Sequence, residues 1–339
     1  MPPALSVIIP TYSRRESLRR CLDSLASQVE APPFEVIVVD DGSRDGTAEM
    51  LADYRSSYPL RVLSVRRQGP AAARNRGAAE AEGDYLLFID DDVVADPHLL
   101  SVHAVAHSAQ REAVVMGPMV RPEEERLPSW VRWEQDALDK QYRAMLEGHW
   151  SPTPRQFYTA NASLARRHFR AAGGFDPDYR RAEDVELGYR LRDLGLSFVF
   201  RPDAVVTHYA GRSLRGWWRI PYQYGIYDVR MWRDKGRSHV LGMIGHEFRQ
   251  RHPLAQRLVR VSVGGSLRAR AVAASAVALA VTAGGVGLFP LARSAYSLAF
   301  NLLYFQGLYD ELGSTAKFRS VLNGGSRAAS PGASGSLEA

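Results

Sequence analysis

Apolar and polar positions alternate along the first 210 residues in a way that predicts strands and helices in turn. Val7-Ile8-Ile9, ending at Pro10, is a short β-branched run and reads as a buried strand. Between Arg15 and Ser27, Leu18, Cys21, Leu22 and Leu25 recur at helical spacing, so one face of a helix is apolar. The alternation repeats as a strand at 34–39, a helix at 47–54, a strand at 61–65, a helix at 71–81 and a strand at 85–89. That order predicts parallel βαβ units with right-handed crossovers, hence an α/β fold with a mainly parallel central sheet. Residues 151–209 continue it with a Gly173-Gly174 turn and a helix from Glu183 to Leu194. Short strands at 198–200 and 204–206 then lead to His208.

In parallel sheets ligands bind beyond the carboxyl ends of the strands. Polar residues gather there: Thr11-Tyr12 after the first strand, Asp40-Asp41-Gly42-Ser43 after the second, and Asp90-Asp91-Asp92 after the run at 85–89. Three adjacent carboxylates repel one another and call for a cation. Hard divalent ions take oxygen ligands and share them with phosphates, as a diphosphate leaving group requires. Asp41 suits a hydrogen bond from a base or ribose, while Ser43 or Asp45 can simply cap the next helix. Arg74 and Arg76 open a helix at a spacing that keeps both from facing inward. Glu183-Asp184 either favours a helix dipole or supplies a general base. His208 reads as an ordinary histidine or as a metal ligand beside Asp92.

The pattern changes after residue 210. Residues 211–265 form a helical region rich in Arg, Trp and Tyr, whose aromatics suit a membrane interface, sugar stacking or a plain core. Residues 266–312 read as an apolar helical hairpin, with uncharged runs at 271–292 and 294–309. A membrane core needs ~20 apolar helical residues, and Arg268 and Arg270 favour a cytoplasmic start. The competing reading is an Ala-rich helical pair packed in a soluble bundle. Residues 313–339, rich in Gly, Ser and Ala after Gly324, read as a disordered tail.

Composition narrows the partners. Hydrophobic residues at 45% and charged residues at 24% describe a folded protein. The net charge of +6 points to an anionic partner, nucleotide phosphates or acidic headgroups; no nucleic-acid motif accompanies it, so no nucleic-acid partner is expected. The single Cys21 excludes an intramolecular disulfide and a four-cysteine zinc site. The first residues show no leader-like pattern, so the catalytic part, residues 1–210, is expected in the cytoplasm, on the cytoplasmic side of the cell membrane.

The ordered series Ser6-Val7-Ile8-Ile9-Pro10-Thr11-Tyr12, Val39-Asp40-Asp41-Gly42-Ser43, Ala73-Arg74-Asn75-Arg76-Gly77, Phe88-Ile89-Asp90-Asp91-Asp92 and Glu183-Asp184 resembles the family-2 glycosyltransferases of GT-A fold. The resemblance covers about residues 5–209. It implies an inverting transfer from a nucleotide-sugar, with uridine the family's commonest base, and a divalent Mn²⁺ or Mg²⁺ ion. It further implies that Tyr12 and Asp41 contact the base and Arg74 the nucleotide, with Pro10 and Glu183 on the donor side. Asp90 and Asp92 would form the DxD pair that binds metal, Asp92 as the direct ligand, with Asp91 near the ribose, and His208 matches a histidine that joins the metal site in some members only. Asp184 would be the catalytic base and Asn161 would line the sugar or acceptor pocket. The Gln-x-x-Arg-Trp signature of processive members is not evident, Arg215-Gly216-Trp217-Trp218-Arg219 being no clean substitute, which favours a single transfer. The acceptor remains open among a lipid-linked glycan, a polymer and a small molecule. The rival readings are a polyprenyl-phosphate glycosyltransferase, an inactive membrane-attached homologue, and a nucleotidyltransferase, whose Gly-rich phosphate loop is missing after the first strand.

Overall fold

A computed structural model describes residues 3–123 and 127–324. The chain divides into two units, one of residues up to 126 with 134–211, the other of residues 127–133 with 212 onward.

The first unit opens β1 (Leu5–Thr11), α1 (Arg15–Ala26), β2 (Phe34–Asp40), α2 (Thr47–Asp53), β3 (Leu60–Ser64), α3 (Pro70–Glu80) and β4 (Tyr85–Ile89). It continues with β5 (Val93–Ala95), α4 (Leu99–Ala109), β6 (Ala113–Met116), β7 (Met119–Val120) and the part of α5 (Ser129–Leu146) from Glu134 onward. It closes with β8 (Asn161–Ala165), α6 (Arg166–Ala171), α7 (Glu183–Asp193), β9 (Ser197–Phe200) and β10 (Val206–His208). The main sheet has the order β3-β2-β1-β4-β8-β6-β9, and only β8 runs against its neighbours. A three-stranded sheet, β5-β10-β7, stands beside it.

The period of two along each strand divides the core. Val7, Ile9, Val36, Val38, Leu87 and Ile89 pack on one face with Leu18, Leu22 and Leu25 of α1. Ile8, Ile37, Val39, Leu86 and Phe88 pack on the other with residues of α3 and α7. Gly77 lets α3 settle on the sheet, since a Cβ there would lie 2.7 Å from Ile8 Cγ2. The strand expected at 204–206 is shifted to 206–208, because the partner that defines it is β5 rather than a local pattern.

The second unit is helical: α8 (Leu214–Asp234), α9 (His239–Arg249), α10 (Pro253–Ser262), α11 (Ser266–Gly285), α12 (Phe289–Leu312) and α13 (Thr315–Asn323). Gly225 and Gly307 bring α8 and α12 into backbone contact, a Cβ at Gly307 falling 2.0 Å from the Tyr222 carbonyl oxygen. Trp217 is buried against Tyr296 and Trp133, ring centroids 5.3 and 5.7 Å away, so it belongs to this core. Tyr227 is also buried, whereas Trp218, Tyr222 and Tyr224 are half-buried. The expected disordered tail begins too early: residues 315–323 form α13, capped by Ser314 and closed by a left-handed Gly324. Phe318, Val321 and Leu322, at helical spacing, are buried there. The rest of that tail lies outside the described residues.

Candidate functional site

The parallel register of β1 and β4, Ile8 opposite Phe88, brings their carboxyl ends side by side. Thr11 Oγ1 consequently donates to Asp91 Oδ2 at 2.7 Å. Burial pushes the Asp91 carboxyl up to about 6, against the opposing pull of Arg14 and Thr11. Asp92 is placed from the other direction. β10 runs antiparallel to β5 with His208 opposite Val93, and the Tyr209 N–H donates to the Asp92 carbonyl at 2.8 Å. This register sets His208 Nε2 3.4 Å from Asp92 Oδ1. Burial raises the Asp92 carboxyl, but His208 and Arg14 together outweigh it and hold the group down at about 2.

Arg14 is the site residue that pattern reading misses. Its Nη1 lies 3.2 Å from Asp91 Oδ1 and also donates to Asp92 Oδ2. The available signal was its place just after β1, at the same strand end as Thr11 and Tyr12. A cleft of about 480 Å³ opens beside it, lined by Ser13, Arg14, Arg15, Asp45, Asp92 and Tyr209 among others.

Asp90 points elsewhere. Its Oδ1 accepts from Arg74 Nη2 at 2.7 Å, while Arg74 Nη1 donates to Glu183 Oε1 at 3.0 Å. Arg74 is only 4% exposed, and its Nε has no hydrogen-bond partner among the described residues. Thus α3 and α7 meet through one guanidinium, and Asp90 is not brought to Asp92 and His208. Ala182, held in the left-handed region at φ 59°, turns the chain into α7 and sets Glu183 and Asp184 in its first turn. Asp184 is half-buried, and burial first, then the Glu183 charge, pushes its carboxyl up to about 7.

On the β2 side, Asp41 is buried and accepts from the backbone N–H groups of Gln68 and Gly69 at 2.7 and 2.8 Å. It therefore shapes the loop before α3. Next to it, Tyr12, Gly42, Arg44, Val65, Arg66 and Arg67 line a cleft of about 430 Å³. The Arg67 guanidinium lies 4.0 Å from the Tyr12 ring centroid, a cation–π stack. Pro10 stays within β1, opposite Val39.

Asn161 departs from the expected pocket-lining position. It is 1% exposed, its Oδ1 faces His103 Nε2 at 3.0 Å, and its Nδ2 donates to the Ala204 and Pro118 carbonyls at 2.7 and 3.3 Å. Its amide is used up tying β8 to α4 and to the approach of β10. His103 and His107 both contact Ser163 Oγ at 2.7 Å in the same buried cluster, and burial lowers them to about 4 and about 3.

Among the described residues no three His, Cys, Asp or Glu side chains form a ready-made metal cage. The Asp92–His208 pair nonetheless fits a divalent cation. Asp92 Oδ1 is buried with no hydrogen-bond partner among the described residues, and the imidazole nitrogen faces it. One carboxylate and one imidazole suffice when phosphates complete the shell.

Strand ends, acidic run and buried arginine lie together on an α/β domain of GT-A-like fold. Residues 6–172 match the family model described as Glycosyl transferase family 2. The glycosyltransferase YfnE of Bacillus subtilis is 33% identical over 251 residues, 60% of this chain and 64% of that protein. Validoxylamine A glucosyltransferase of Streptomyces hygroscopicus subsp. limoneus is 35% identical over 225 residues, 57% and 49% of the two chains. The chain thus spans about half to two-thirds of the length of these two curated relatives. Among solved structures, S. aureus TarS in complex with UDP superposes at a TM-score of 0.53 with 19% identity, covering 91% of this chain and 92% of that one. The mannosyltransferase PcManGT from Pyrobaculum calidifontis, in complex with GDP-Man and Mn²⁺, does so at 0.57 with 20% identity, covering 92% and 88%. At such identity these two likenesses speak for the fold. Residues 6–172 thus form a domain of glycosyl transferase family 2.

Proposed function

We propose that this chain moves one sugar per encounter from a nucleoside-diphosphate sugar, a UDP-sugar first, to an acceptor hydroxyl with inversion at the anomeric carbon. The observation that carries the reading is the meeting of the 90–92 acidic run with Arg74, Glu183 and Asp184 at one end of the sheet. Asp92 and His208 would hold a divalent cation, Mn²⁺ or Mg²⁺, which when bound supplies positive charge against the departing diphosphate. Arg14, at the mouth of the same cleft, adds a guanidinium that can turn from Asp92 to a phosphate. Asp184, ionised, takes the acceptor proton as the acceptor oxygen bonds to the anomeric carbon. The bond from that carbon to the diphosphate breaks, and its electron pair leaves with the nucleotide. Arg74 binds Asp90 and Glu183 and so orients the start of α7. The cleft around Tyr12 and Arg67 would receive the base. UDP and GDP-Man are bound by structural neighbours of the same fold, which supports a nucleotide-sugar donor without choosing between them.

The test is nucleotide release from a panel of nucleotide-sugars, with and without Mn²⁺. Release from one donor that needs metal and is lost in Asp92→Asn supports the reading. Unaltered turnover in Asp184→Asn would remove the base and shift the assignment to a phosphate acceptor, which is ionised already.

A further inference from the structure

Charge is distributed unevenly along the helical unit. From Phe248 to Tyr309 the chain holds seven arginines and no aspartate or glutamate. Elsewhere 36 basic side chains face 37 acidic ones, so this stretch carries the protein's whole net positive charge.

The same stretch exposes apolar surface. Ala269, Ala273, Ala276, Ala280 and Ala283 of α11 are buried, on the side packed against α12. Leu267, Ala271, Ala274, Ala278, Val281 and Gly285 recur at three- and four-residue spacing on the opposite side, and all are exposed, Leu267 at 83%. The turn into α12 adds Val286 at 69% and Leu288 at 55%, followed by exposed Phe289 and Leu291. No charged residue interrupts the run from Ala271 to Ala292. Arg268 and Arg270, both exposed, flank the face where α11 begins.

We propose that this face of α11 and the Val286–Leu291 turn dock on an anionic lipid surface, with α11 lying along it. Only α11 among the described helices is long and apolar enough to cross a bilayer, and one of its sides is committed to α12. A helix packed on one side and apolar on the other is the arrangement of an interfacial anchor. A two-fold copy of the chain would set arginine against arginine with no acidic partner in the stretch, whereas acidic headgroups complement it. This surface is independent of the transfer chemistry.

The experiment is co-sedimentation of the full chain with phosphatidylcholine vesicles, with and without phosphatidylglycerol. Binding is expected only with the anionic lipid and is expected to fall with salt. Arg268→Gln with Arg270→Gln should weaken partitioning about 25-fold, each arginine contributing about fivefold. Leu288→Asp with Leu291→Asp should abolish binding while leaving the melting temperature unchanged. Equal binding to neutral vesicles, or no binding to either, overturns the proposal. Protein released by detergent but not by alkaline carbonate would mean that the hairpin spans. A dimer dissociated by Ala278→Asp would reassign the face to a second copy.

Discussion

Arg74 holds Glu183 from 109 residues away: its Nη1 lies 3.0 Å from Glu183 Oε1, and its other terminal nitrogen lies 2.7 Å from Asp90. A planar fork serves two carboxylates at once, which a lysine's single ammonium cannot do in that geometry. Removing the buried cation leaves carboxylates uncompensated, at a cost of about 3–5 kcal/mol. Arg74→Ala should therefore lower the melting temperature by roughly 6 °C or more for a unit of this size. Arg74→Lys should recover part of that loss and little of the activity. Equal melting temperatures for wild type and Arg74→Ala would contradict the shared-cation account.

The raised Asp184 carboxyl gives a signed pH dependence. A base must be ionised to accept a proton, so kcat should fall below about pH 7 with a slope approaching one log unit per pH unit. For stability the sign is opposite. The folded state binds this proton more tightly than the unfolded chain, so the contribution of Asp184 is most favourable below the unfolded carboxyl range. It is lost as pH rises towards 7. Asp184→Asn should abolish turnover, spare donor binding and flatten that slope in thermal melts taken from pH 5 to pH 8.

Arg14 and His208 should act on metal affinity in opposite directions. His208→Ala removes a nitrogen that faces Asp92 Oδ1 and should weaken Mn²⁺ binding at least tenfold, read by electron paramagnetic resonance of free Mn²⁺. Arg14→Gln removes a guanidinium from Asp91 and Asp92 and should tighten Mn²⁺ binding several-fold in the absence of nucleotide. It should nevertheless slow turnover. Weaker Mn²⁺ binding in Arg14→Gln would show that the arginine organises the carboxylates rather than competing for them.

Gly117, between β6 and β7, is a point where no side chain fits. A Cβ there would fall 1.8 Å from the Ala204 carbonyl oxygen and 2.5 Å from Asn161 Nδ2. Gly117→Ala must displace the backbone that leads into β10, and a cost of about 2 kcal/mol or more is expected. Because β10 positions His208, the variant should also lose Mn²⁺ affinity, whereas a generic surface substitution would leave it alone.

Much of the first unit is legible in order. Periods of two and 3.6 mark β1 to β4 and the helices between them, and those periods depend only on which face of each element meets water. The α/β class and the clustering of Thr11, Asp41 and Asp90 to Asp92 at strand ends follow directly. Residues 315–323 are less legible: a short helix within a Gly- and Ser-rich end shows itself only through the burial of Phe318 and Leu322.

The sequence by itself determined the alternation, the family motifs and the acidic run, because these rest on local propensity and near-neighbour spacing. Only the tertiary structure decided which carboxylate meets which partner. Asp90 turns to Arg74, Asp92 to His208 and Arg14, and Asn161 inward to His103. Those pairings follow from the β5–β10 register and the meeting of α3 with α7, between segments about a hundred residues apart. No local pattern encodes such a register, since it is set by which backbone groups find hydrogen-bond partners once the sheet has closed.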